Sequence, residues 1–169
     1  YIYILVLKML DLKYSIVVPV YENKHNFQKF VNLAEELIKP LENLEIIFVD
    51  DGNNYNLKDI INTNLKNFTL IKNEKNLGYG ASIKKGIKKS NSEIIGIIDC
   101  DNSYDLKQLI DLLFEFENYK CDLLVGKRIF EYNDFFLKVI FRKIINYLAT
   151  IIFNYKVRDI NSGLRIFYK

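Results

Sequence analysis

Residues 97–105 read Ile-Ile-Asp-Cys-Asp-Asn-Ser-Tyr-Asp, with three carboxylates gathered where an apolar run ends. Asp99 and Asp101 are one residue apart, a spacing that lets two carboxylates on a loop turn toward a common point. Hard oxygen donors of this kind suit Mg²⁺ or Mn²⁺, which keep several waters and take further ligands from a substrate's phosphates. A cation held there neutralises a diphosphate and stabilises it as a leaving group. Taken alone, an Asp-x-Asp triplet also fits a solvated loop. Its position after the apolar run 93–98 favours the metal reading. Asp105 has a different reading: it stands before a helical pattern that begins at Leu106 and is expected to cap it. Cys100, between the paired carboxylates, is expected to point back into the core.

Two other apolar runs end in polar residues. The first exits into Pro19-Val20-Tyr21-Glu22-Asn23, and the second into Asp50-Asp51-Gly52-Asn53. Asp-Gly is a common turn, which accounts for Gly52 and one Asp. A second carboxylate following directly on buried Val49 is suited to accept from a ribose hydroxyl or a base N–H. Asn76-Leu77-Gly78-Tyr79-Gly80-Ala81 then leads into a helix with Gly86 further along. Such a loop either presents N–H groups to phosphate or lets the helix pack closely on a sheet, and it fits neither a Walker A loop nor GxGxxG. Near the end comes Arg158-Asp159-Ile160-Asn161-Ser162-Gly163-Leu164-Arg165. It reads either as a polar turn before a last strand or as functional, with Asp159 a base or an acceptor-orienting group and the two arginines holding phosphate oxygens. Lys127 and Arg128 add two cations after a further strand.

The elements that must position these residues alternate in period. Short apolar runs at 14–20, 44–49, 68–72, 93–98 and 122–125 read as strands, and amphipathic stretches at 26–38, 57–64, 80–89 and 106–117 read as helices. Alternation of this kind predicts an α/β fold with a mainly parallel central sheet flanked by helices. In such sheets ligands bind in the crevice at the carboxyl ends of the strands, where the acidic residues fall. The stretch 135–157 is strongly apolar but interrupted by Lys138, Arg142 and Lys143. A transmembrane helix fits it poorly. A core-packed helix is the first reading, and an amphipathic helix lying on a bilayer surface is the second.

Composition narrows the class further. The chain has 169 residues, 50% of them hydrophobic and 27% charged, enough for one folded domain. A formal charge of +3, with no arginine-rich arm and no zinc spacing, argues against a nucleic-acid partner. Cys100 and Cys121 lack CxxC spacing and read as reduced thiols. The lone His25 reads as a loop or helix-start residue. Residues 1–13 are expected to form an N-terminal extension, too short and too soon charged to span a membrane. The catalytic domain is expected over 14–169, truncated at its C-terminal end.

Taken in order, VVPVYEN, FVDDGN, NEKNLGYGASIKKG, IIDCDNSYD, LLVGKR and RDINSGLR cover residues 16–165. Together they resemble the family 2 glycosyltransferases of GT-A (Rossmann-like) fold, and within them the polyprenyl-phosphate sugar transferases. RDINSGLR resembles the D-x-x-S-G-x-R element of that subgroup. The resemblance implies inverting transfer from a GDP- or UDP-sugar to a polyprenyl phosphate, assisted by Mg²⁺ or Mn²⁺. It implies peripheral contact with the cytoplasmic face of the membrane. Donor contacts would come from Pro19, Tyr21, Glu22, Asp50, Asp51, Gly78 and Asp99, and metal contacts from Asp99, Asp101 and Ser103. Arg128, Arg158 and Ser162 would stand on the acceptor side. Asp101, Asp159 and Arg165 would carry the catalytic roles.

Two positions depart from the family pattern. The family's Asn-Glu after the tyrosine of the first element is here Glu22-Asn23, and Ser103 stands where some relatives carry a metal-assisting Gln. The alternative functions are a family 2 transferase extending a surface polysaccharide, or a non-enzymatic nucleotide-binding module. A sugar-phosphate nucleotidyltransferase would need an N-terminal Gly-rich loop with Arg and Lys, which VVPVYEN does not supply.

Overall fold

The computed structural model describes residues 14–61, 66–101, 103–119, 121–126, 136–154, 156, 159–160 and 162–169. Among them six strands form one sheet: β1 (Tyr14–Val20), β2 (Leu44–Asp50), β3 (Phe68–Lys72), β4 (Ile94–Ile97), β5 (Leu123–Val125) and β6 (Arg165–Tyr168). The strand order is β3-β2-β1-β4-β6-β5. β1 to β4 run parallel, and β6 lies antiparallel between β4 and β5. This is the mainly parallel α/β sheet that the alternating pattern predicts.

The central strands are apolar along their length because both faces are covered. On one face Ile16, Val18, Ile46 and Phe48 pack against α1 (Lys24–Ile38) and α3 (Leu106–Tyr119). Phe48 is the hub there, meeting Phe27, Phe30 and Phe68 edge-on at 5.4, 6.3 and 5.4 Å. Alternate residues Val17, Ile47, Val49, Ile95 and Ile97 point to the opposite face, where α2 (Tyr79–Lys89) brings Ile83. Gly86 allows that approach, since a Cβ on it would stand 2.3 Å from Val17 Cγ1.

Parallel pairing in register brings the exits together. Val20 is level with Asp50, and Asp50 with Lys72, so the polar segments leave the sheet along one edge. The order reverses direction between β1 and β4, which opens the crevice between the Tyr21 and Asp99 segments.

Two expectations need correction. The helix expected over 57–64 is a single 3-10 turn, Leu57–Asp59, closed by the Asn56 side chain accepting from the Lys58 amide at 3.3 Å. Residues 62–65 lie outside the described residues. The apolar stretch after 135 does form a helix, α4 (Phe136–Phe153), but it does not pack as a core helix. Ala149 is buried at 3% exposure, while Tyr147, Ile152 and Phe153 are 66%, 75% and 64% exposed.

Replacing Gly86 with valine is expected to lower the unfolding free energy by about 2–3 kcal/mol in urea titrations, through overpacking against Val17 and Val49. An unchanged midpoint would mean that α2 does not sit this close to the sheet.

Candidate active site

Each strand end is fastened by side-chain hydrogen bonds before any ligand is considered. At the end of β2, Asp50 Oδ1 accepts from the Asn53 amide at 2.9 Å and from Asn53 Nδ2 at 2.7 Å. Asn53 Nδ2 also donates to the Val20 carbonyl, and its Oδ1 accepts from the Glu22 amide at 2.7 Å. Asn53 therefore ties the exits of β1 and β2 into one unit. Glu22 is held there with φ 52, a left-handed conformation that asparagine tolerates better than glutamate. The inverted Glu22-Asn23 order puts the less suited residue at that position. Tyr21 beside it is 44% exposed, and Pro19 is half-buried with its carbonyl near Cys100 Sγ.

Asp51 organises the next loop. Its Oδ1 accepts from Asn73 Nδ2 and the Leu77 amide, both at 2.9 Å, and its Oδ2 accepts from the Gly78 amide at 3.0 Å. Burial alone would push this carboxyl up. The bonds from Leu77, Asn73, Ser82 and Gly78 outweigh it and hold the group below the ordinary carboxylate range. Gly52, at φ 81, lets the chain come so close that a Cβ would meet the Lys75 backbone at 2.4 Å. Asp50 and Asp51 are 1% and 3% exposed, so both face protein far more than solvent.

The paired carboxylates after β4 differ from one another. Asp101 is exposed, and its Oδ1 accepts from the Ser103 amide at 2.9 Å, which shapes the turn. Ser103 is exposed as well. Asp99 is half-buried and accepts a hydrogen bond from the Tyr79 hydroxyl at the start of α2. Burial and the Asp99 carboxylate together push the Tyr79 phenol well above its ordinary value, so it stays a donor. Cys100 is buried, and burial with the neighbouring charges of Asp101 and Asp99 pushes its thiol up to about 12, leaving it unreactive. Asp105 Oδ1 accepts from the Lys107 amide at 3.0 Å, the N-cap of α3.

The segment before β6 lies against Asp99. A Cβ on Gly163 would fall 1.9 Å from Asp99 Oδ2, so the Gly163 backbone lies directly against that carboxylate. Ser162 is 1% exposed, and its hydroxyl bonds the Tyr104 hydroxyl, the Gly126 and Leu164 carbonyls and the Leu164 amide. It therefore pins the loop to the end of β5. Arg165 donates from Nε to the Ser162 carbonyl and from Nη2 to the Ile160 carbonyl, each at 3.0 Å. Those bonds use two of its five donors and orient its charge toward the Tyr79–Asp99 pair. Asp159 is buried at 8% exposure in the same loop. Arg128 and Arg158 lie outside the described residues.

Asp99, Tyr79, Gly163 and Arg165 thus come together, joined to the Asp51 loop through Gly78 and Tyr79, and Asp101 stands exposed two residues after Asp99. Among the described residues no group of three or more His, Cys, Asp or Glu side chains forms a closed metal cage. A two-carboxylate site with an exposed member still fits Mg²⁺ or Mn²⁺, since these take remaining ligands from water and phosphate. Tyr79, Asn53, Asn73 and Ser82 were not legible as site residues. Tyr79 sits inside NLGYGA, where the glycines draw the attention, and the others become visible only once β2 and β3 are paired.

Asp51→Asn is expected to lower stability at pH 7 by about 1–3 kcal/mol, because its amide nitrogen cannot accept, which leaves one of the two loop amides without its partner. The native pKa lies below the unfolded 3.8, so the carboxylate's contribution is present above that pH and fades as pH falls through the native value. Urea unfolding at pH 7 and pH 3 should therefore show a gap between the two proteins that narrows in acid. A constant gap would contradict the assignment.

The sequence profile described as glycosyl transferase family 2 matches residues 15–168. The chain is 27% identical over 162 residues to a dodecaprenyl-phosphate galacturonate synthase of Rhizobium johnstonii, a match spanning 93% of this chain and 48% of that protein. Its fold is shared with S. aureus TarS residues 1–349 in complex with UDP-GlcNAc, at TM-score 0.61 and 20% identity over 73% of this chain and 36% of that one. It is also shared with the mannosyltransferase PcManGT of Pyrobaculum calidifontis in complex with GDP-Man and Mn²⁺, at TM-score 0.54 and 15% identity, covering 75% and 43% of the two chains. The profile match spans nearly the whole chain, and the chain belongs to glycosyltransferase family 2.

Proposed function

We propose that this protein transfers a sugar from a UDP- or GDP-sugar to a polyprenyl phosphate with inversion at the anomeric carbon. The observation that carries this reading is the Gly163 backbone against Asp99, which puts the D-x-x-S-G-x-R loop beside the paired carboxylates. An acceptor held by that loop reaches the same crevice as the donor diphosphate. The relationship to a dodecaprenyl-phosphate galacturonate synthase supports the lipid-phosphate class.

The chemistry is a direct displacement. A phosphate monoester is already anionic near pH 7, so its oxygen attacks the anomeric carbon without a side-chain base. The bond from that carbon to the nucleoside diphosphate breaks, and the diphosphate leaves with the electron pair. Asp99 and Asp101 would hold Mg²⁺ or Mn²⁺, which supplies positive charge to the leaving diphosphate. Tyr79 keeps Asp99 oriented by its hydrogen bond, and Ser162 holds the loop in place. Arg165 adds positive charge where phosphate groups meet, and Asp159 orients the acceptor. The remaining catalysis is positioning of two anionic groups that would otherwise repel.

The test is release of UDP or GDP from a panel of nucleotide sugars with Mn²⁺, with and without polyprenyl phosphate. Asp101→Ala is expected to lower kcat at least about 100-fold. Asp159→Ala should raise the KM for the lipid phosphate while donor binding stays near wild type. Turnover that survives both chelator and Asp101→Ala would contradict the metal role. Transfer to a sugar hydroxyl but never to a prenyl phosphate would replace the acceptor assignment with glycan extension.

A further inference from the structure

The carboxylates at the exits of β1 and β2 are of two kinds. Asp50 and Asp51 are buried, and they accept from Asn53, Asn73, Leu77 and Gly78. Glu22 is exposed. Its backbone, at φ 52, is in a conformation that glycine or asparagine takes up more readily than glutamate. A buried network holds it there. The Glu22 amide donates to Asn53 Oδ1 at 2.7 Å, and Asn53 is itself fixed by the Val20 carbonyl and by Asp50. Unfavourable backbone kept in place by surrounding bonds clusters at functional sites. The place agrees with this, since open α/β sheets bind their ligands at the carboxyl ends of the strands. Tyr21, next in the chain and exposed, offers an aromatic face of the kind on which a nucleobase stacks.

We propose that Glu22 reads the base of the donor nucleotide and selects guanine over uracil. Along its pairing edge guanine carries two neighbouring donors, N1–H and the N2 amino group. The two oxygens of a carboxylate accept both at once, as they do from the parallel N–H groups of arginine. Uracil offers a single N–H on that edge, N3–H, with a carbonyl oxygen on each side. A carboxylate accepting from N3–H sets its second oxygen against one of those carbonyls, so the residue that holds guanine repels uracil. Adenine and cytosine place an acceptor beside their amino group and are disfavoured in the same way. Asp51 is poorly placed for this task, because it is buried and its oxygens already accept from Leu77, Gly78 and Asn73. The inference rests on the use of a nucleotide-sugar donor and is independent of the acceptor.

The experiment is calorimetric titration of GDP, inosine diphosphate and UDP, each with Mn²⁺, into wild type, Glu22→Gln and Glu22→Asn. Inosine diphosphate is GDP without the N2 amino group, so it isolates the second hydrogen bond. Wild type is expected to bind GDP at least roughly 10-fold more tightly than UDP, with inosine diphosphate between them. Glu22→Gln should lose roughly 10-fold in GDP affinity and bind GDP and inosine diphosphate alike, because an amide presents one acceptor. Its UDP affinity should hold or rise. Glu22→Asn should lose the same preference while its unfolding midpoint rises, since asparagine takes up this φ more readily. Stability gained as selectivity is lost separates base reading from a structural role. Wild type that binds UDP as tightly as GDP overturns this inference alone. So does a GDP preference that Glu22→Gln leaves intact. Failure to bind any of the three overturns it together with the donor assignment. Selective GDP binding without transfer to any prenyl phosphate supports it and contradicts only the acceptor assignment.

Discussion

The backbone of Gly163 touches the carboxylate of Asp99, and most of the site's arrangement follows from that contact. It requires a residue without a side chain at 163 and a loop that cannot drift. Ser162 supplies the second condition, since its buried hydroxyl bonds both β5 and the loop itself. The antiparallel pairing of β6 with β4 supplies the frame, setting Arg165 level with Ile97, two residues before Asp99. The Asp99 segment and the loop before β6 are therefore parts of one packed unit.

A second set of bonds holds the opposite wall. Asn53 joins the ends of β1 and β2, and Asp51 binds the loop that leads into α2. Through Tyr79 this wall reaches Asp99 from the other side. Buried carboxylates are costly unless fully bonded, and here the bonds come from backbone amides that loops would otherwise leave open. The polar strand ends are thus held by bonds within the loops, and Asp101 and Tyr21 beside them stay exposed.

Much of the fold was legible because it rests on short-range pattern. The continuous apolar runs of β1 and β2 report burial on both faces, and the spacing of Phe27, Phe30, Val31 and Ala34 reports the sheet-facing side of α1. Asp105 was readable as a cap because capping is local. What escaped depends on contacts distant in sequence. RIFY alone does not reveal that β6 runs antiparallel. The Asp-Asp pair could not show that Asp51 is bound by residues 26 and 27 positions later. The exposure of α4 was obscured because an apolar helix has the same composition whether it faces a core or a lipid surface.

On the proposed function, the loop at Gly163 and the carboxylate of Asp99 form one binding unit. The most direct measurement is calorimetric titration of Mn²⁺ with UDP or GDP into wild type and Gly163→Ala, alongside their unfolding midpoints. A Cβ at 163 must displace Asp99, so nucleotide–metal affinity is expected to fall by about 10-fold or more while the midpoint moves by only a few degrees. Wild-type affinity in a folded Gly163→Ala protein would contradict the claim.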